Sequence, residues 1–142
     1  MFISVLLSAL VMMPRGFTIP QVDLANDTAR QSTVDREEEV YLGHPTTVLL
    51  DDGHSVLCIY TKGHGKGQLV MKKSVDAGRT WSERLPVPAS WSTSKETPHI
   101  YPVVDQGGTK RLILFSGLYP IRMSVSEDEG ATWTELAPIG DY

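Results

Sequence analysis

The sequence predicts an all-β chain, and three observations predict it. The apolar stretches are short and rich in Val, Ile, Leu, Tyr and Thr, as in TTVLL at 46–50 and SVLCIYT at 55–61. Asp-Gly, Gly-Gly and Pro separate these stretches, which is hairpin punctuation, and helix signals are nearly absent. The third observation is an internal repeat. TTVLLDDG, SVLCIYTKG, QLVMKKS and VDAGRTW recur in the same order as IYPVVDQGG, KRLILFSG, PIRMSVS and EDEGATW, and Ser74 and Ser126 set the interval at 52 residues (126 − 74). A unit of that size holding three or four short strands matches a propeller blade, so the expected architecture is a β-propeller of which the first two blades or so are present.

The elements follow in order. Residues 1–18 form a signal peptide or N-terminal apolar segment. The run Phe2 to Met13 is too short for a membrane span, which takes about 20 residues, and no Lys or Arg precedes it. Export, secreted or periplasmic, is the expectation, and a buried strand is the alternative. Residues 19–39 are a polar lead-in whose cluster Asp35, Arg36, Glu37, Glu38 and Glu39 reads as solvated. Residues 40–142 carry the repeats, and Pro86, Pro88, Pro98, Pro102 and Pro120 fall mostly at the joins, where a missing N–H does least harm to a ladder.

Composition bounds the chemistry. With 41% hydrophobic and 8% aromatic residues the chain is globular, and a net charge of −4 without a basic stripe argues against nucleic acid as a partner. Cys58 is the single cysteine, so neither an intrachain disulfide nor a cysteine zinc site is available, and its apolar surroundings make it a small buried hydrophobe. His44, His54, His64 and His99 have no zinc spacing, and neither a metal nor a cofactor is expected. Gly63 to Gly67 lacks the Lys-Ser/Thr ending of a phosphate loop, and Phe115-Ser116-Gly117 is not a nucleophile elbow.

Two octets close the repeats, SVDAGRTW at 74–81 and SEDEGATW at 126–133, agreeing at Ser, Asp, Gly, Thr and Trp. Each residue type suits a tight turn. Asp accepts from backbone N–H groups of its own loop, Gly takes positive φ, Ser and Thr hydroxyls close the loop, and Trp pins it. Ser74, Asp76, Gly78, Thr80, Trp81, Ser126, Asp128, Gly130, Thr132 and Trp133 are therefore read as scaffold, outside any active site.

These octets resemble the Asp-box repeats of sialidases, and the resemblance covers Tyr41 to Tyr142. The stretches Tyr41-Leu42-Gly43-His44-Pro45, Gly63-His64-Gly65-Lys66-Gly67 and Ser116-Gly117-Leu118-Tyr119-Pro120 look like those of secreted bacterial sialidase-like proteins. The resemblance implies a six-bladed propeller when complete and retaining hydrolysis of a terminal sialic acid. In that chemistry a Tyr nucleophile is assisted by Glu, an Asp serves as acid/base and three Arg clamp the substrate carboxylate. This chain departs from the pattern at two places. Where the family's Arg-Ile-Pro motif opens the first blade it reads Gly43-His44-Pro45, and the loop that would carry the Asp reads Thr61 to Gly67 with none. The remaining groups belong to later blades, so an incomplete propeller that needs C-terminal blades to close its apolar faces is expected.

The positions to watch lie before or between strands. His44, His64 and Glu96 are the candidate catalytic residues, as acid, base or carboxylate partner, and Lys62, Lys66 and Arg122 are the candidate anion clamp. Each has a plainer alternative: His44 beside Pro45 caps a strand, His64 and Lys66 are solvated hairpin residues, Glu96 pairs with Lys95 at the surface, and Arg122 is structural. The leading expectation is an exo-α-sialidase-like glycoside hydrolase releasing a terminal acidic sugar, inactive as the isolated two blades. The rival is a non-catalytic glycan-binding or interaction propeller.

Overall fold

The computed structural model describes residues 19–64 and 67–140; segment 1–18 and Lys66 lie outside the described residues. The described chain is all-β. Strands β1 (Leu42–Leu49), β2 (Val56–Lys62) and β3 (Leu69–Ser74) form one antiparallel sheet in the order 1-2-3. Strands β4 (Pro98–Val104), β5 (Lys110–Ser116), β6 (Arg122–Ser126) and β7 (Ala137–Pro138) form a second in the order 4-5-6-7. Two 3-10 turns, Thr28–Arg30 and Ala89–Thr93, are the helical elements among the described residues. Among those residues no helix is long and apolar enough to cross a membrane.

Register explains the packing. Side chains alternate between the faces of a strand, and the pairs Val48↔Leu57 and Ile59↔Met71 place one apolar face of the first sheet against Ile100, Leu112 and Leu114 of the second. Trp91, fully buried on the 89–93 turn, fills this core, donates from Nε1 to Ser124 Oγ at 3.3 Å and meets Trp133 edge-on with centroids 5.4 Å apart. Ile100 N donates to Thr46 Oγ1 at 3.2 Å, tying β4 to β1.

The opposite faces differ. On the first sheet, Cys58, Tyr60 and Val70 are covered by Val34, Leu42 and Trp81. Cys58 is the buried hydrophobe expected, and burial pushes its thiol up to about 11. The charge run is exposed at Arg36, Glu38 and Glu39, as expected, but Asp35 and Glu37 are half-buried and partnered. Asp35 keeps 12% side-chain exposure, sits 2.7 Å from Arg84 Nε and accepts the Tyr60 hydroxyl, while Glu37 binds Arg84 and Lys62 at 2.7 Å each. Tyr60, Lys62 and Arg84 lie far along the chain, so residue order alone gives these carboxylates no visible partner. On the second sheet, Tyr101, Ile113, Phe115, Met123 and Val125 face outward, with Tyr101 half exposed and the others partly covered.

Candidate functional site

The repeat is reproduced bond for bond at the octets. Ser74 Oγ donates to Asp76 Oδ1 at 2.8 Å and accepts Gly78 N at 2.8 Å; Thr80 N and Oγ1 donate to the Asp76 carboxylate at 2.8 and 2.7 Å; Trp81 Nε1 donates to Gly78 O at 3.1 Å. Ser126, Asp128, Gly130, Thr132 and Trp133 repeat every one of these bonds. The bonds from Thr80 and Ser74 hold the Asp76 carboxyl down at about 2, and Thr132 lowers Asp128 in the same way. Both octets follow the ends of β3 and β6. They meet the hairpin ends there, Ala77 N donating to His54 O and Asp51 N to Glu129 Oε1.

The candidate residues occupy the other end of both sheets, where β1, β3, β4 and β6 begin and β2 and β5 finish. Tyr41, His44 and His64 form an aromatic cluster there: the imidazoles are 5.1 Å apart, and Tyr41 lies 5.2 Å from His64 and 6.0 Å from His44 by ring centroids. A break in register between Gly43 and Thr46 bends the start of β1, and His44 sits in that bend with φ 51°. Glu96 holds the matching place before β4, with φ 60°. The equivalence extends to the hydrogen bonds. Buried Thr61 donates to Gly43 O at 3.1 Å and buried Ser116 to Lys95 O at 3.4 Å, each carbonyl preceding the left-handed residue.

The two ends are joined by Gly67 N donating to Ser94 O at 3.3 Å and by the Ser94–Ser116 hydroxyl pair at 2.8 Å. Beside them a cleft of about 310 Å³ is lined by Thr93, Lys95, Gly117, Leu118, Tyr119 and Arg122. Arg122 is held by Nη1 to Thr93 Oγ1 at 2.8 Å and Nη2 to Thr93 O at 2.6 Å, which fixes the guanidinium plane at the cleft. Glu96 packs against this wall, since a Cβ added to Gly117 would lie 3.1 Å from Glu96 Cβ.

Of the candidates, His44 and His64 come together, Arg122 lines the cleft, and Glu96 lies beside Gly117 of the same cleft. Lys62 stands apart, being ion-paired to Glu37 of the lead-in. Tyr41 joins the two histidines without having been singled out, although its place three residues before His44 was a signal. Among the described residues no three His, Cys, Asp or Glu side chains gather as a metal site. The chain matches no family model and no curated protein.

Proposed function

We propose that the chain is part of a sialidase-like propeller that acts on a terminal acidic sugar, with glycoside hydrolysis as its activity. The observation that carries this reading is the pair of identical box hairpins at a blade-length interval, with His, Glu and Arg side chains collected at the opposite end of the same two sheets. Arg122 offers a planar cation for a sugar carboxylate, and Thr93 takes only two of its five N–H donors. Tyr119 and Tyr41 supply flat apolar surface of the kind that packs on a sugar ring. His44 or His64 exchanges the proton, and Glu96, beside Gly117 of the cleft, supplies a carboxylate. The nucleophile and the further clamp groups would come from further sheets of the same repeat.

A second reading, a propeller that binds glycans without cleaving them, draws support from one observation. Glu96 is the sole carboxylate among the candidate residues, while the loop from Thr61 has no Asp and Glu37 is neutralised by Lys62 and Arg84. Turnover of a fluorogenic α-sialoside and of uronic-acid analogues, by a chain carrying further repeats, separates the two. Release from one of them supports hydrolysis, binding without release supports the second reading, and neither binding nor release contradicts both.

A further inference from the structure

His44 and His64 make a pair that their place in the chain hides. They are 20 residues apart (64 − 44), which matches no zinc spacing, and the β1–β2 hairpin brings them together. Leu42 faces Lys62 and Gly43 faces Thr61 across the ladder, and Gly63 N donates to Tyr41 O at 2.9 Å, so the backbone is tied beside both histidines. His44, left-handed in the bend after Gly43, is half-buried, while His64 is exposed. The Tyr41 ring bounds the pair on one side. Gly43 permits this, because a Cβ there would lie 2.6 Å from the Tyr41 phenol oxygen.

Both imidazoles are uncommitted. Among the described residues neither takes part in a hydrogen bond or an ion pair, whereas His54 is held by Asp52, its Nδ1 2.9 Å from the main-chain oxygen and its Nε2 3.5 Å from the carboxylate. Two imidazoles that share one tetrahedral cation through bonds of about 2.0–2.1 Å have ring centroids about 5 Å apart. His44 and His64 stand at 5.1 Å, with their planes inclined by 49°. We infer that His44 and His64 together bind a divalent transition-metal cation of the zinc class, each through one ring nitrogen, with water filling the remaining positions. Imidazole nitrogen suits zinc, copper and nickel, whereas calcium and magnesium need oxygen ligands that this pair does not offer. A bound cation takes the lone pair with which either imidazole would accept a proton, so its occupancy opposes proton exchange at the same residues. That consequence, though not the binding itself, rests on the proposed hydrolysis.

The test titrates ZnCl2 into the full 142-residue chain by isothermal calorimetry, with MgCl2 as the comparison. The expected result is one saturable zinc site per chain and no magnesium site. His44→Asn, which tolerates the left-handed backbone, and His64→Gln should each weaken zinc about tenfold or more, since even outer-shell changes cost that much. His54→Gln should leave the affinity unchanged. Absence of saturable zinc binding, dependence on only one of the two histidines, or an equal loss in His54→Gln would overturn the inference. Electron paramagnetic resonance of the parent chain with one equivalent of Cu(II) counts the ligands directly and needs no substitution to fold. Two imidazole nitrogens are expected, and fewer would overturn the inference too. No sugar enters either measurement, so zinc binding without sialoside turnover would sink the hydrolase reading alone, and turnover without zinc binding would sink the metal site alone.

Discussion

His44 and Glu96 stand 52 residues apart at the same point of the two repeats, each left-handed in its backbone and each preceded by a carbonyl that accepts a hydrogen bond from a buried hydroxyl. A left-handed residue with a Cβ costs about 1 kcal/mol, and Gly or Asn relieves it. Neither repeat uses them. Ala77 and Glu129 of the box turns are left-handed as well, so the backbone alone does not mark a site, and it is the proposed function that assigns the His44 and Glu96 side chains to one. Glu96→Gly is expected to melt at or above the parent temperature and to lose affinity for an acidic sugar. A lower Tm with unchanged affinity would assign Glu96 to the scaffold.

The box hydroxyls are the opposite case. Ser74 and Ser126 are 1% exposed, and each Oγ serves an Asp carboxylate and the N–H of Gly78 or Gly130. Truncation leaves buried partners unmade, so Ser74→Ala and Ser126→Ala should each cost about 1–3 kcal/mol by denaturant unfolding. Sugar binding, at the far end of the sheets, should be unchanged in whatever fraction remains folded.

Two equivalent glycines should differ. Gly78 and Gly130 have φ 83° and 84°, but a Cβ on Gly78 meets only the Trp81 ring at 3.7 Å, whereas on Gly130 it meets Leu57 Cδ1 at 2.3 Å. Gly78→Ala should cost about 1 kcal/mol for the backbone alone. Gly130→Ala adds overpacking of the core and should cost about 2–3 kcal/mol. Equal losses in chemical denaturation would contradict the packing of the second box against β2.

The lead-in should be sensitive to acid. Burial raises the Asp35 carboxyl, but the hydrogen bonds from Tyr60 and Arg84 outweigh it and hold the group down at about 2. Its folded value lies below the ordinary one, so the ionised carboxylate stabilises the chain above about pH 4 and that contribution is lost as the pH falls towards 2. Plotted against pH, the Tm of the parent should fall more steeply over this window than that of Asp35→Asn. Parallel curves would mean that Asp35 takes no part in stability.

The hairpins and octets were legible in the sequence because their partners are local. Asp76 finds Thr80 and Ser74 within four residues, and the residue types at those places are the ones such a turn requires. The equivalence of His44 and Glu96 was present in the numbering, but their left-handed backbone was not, since neither residue type announces it. The seating of Asp35 and Glu37 was invisible for a different reason. Their partners Tyr60, Lys62 and Arg84 are brought in by the first sheet and the loop after it, and a charge run next to a polar segment reads as solvated until that packing is known. The same packing pairs Lys62, an anion-clamp candidate, with Glu37.

The central claim, that an acidic sugar is recognised where β1 and β4 begin, is tested most directly by amide chemical shifts on titration with N-acetylneuraminic acid. The expected result is saturable perturbation at Tyr41, His44, His64, Glu96, Gly117 and Arg122, with the amides of Asp76 and Asp128 unmoved. Perturbation centred on the boxes, or none anywhere at millimolar sugar, would contradict it.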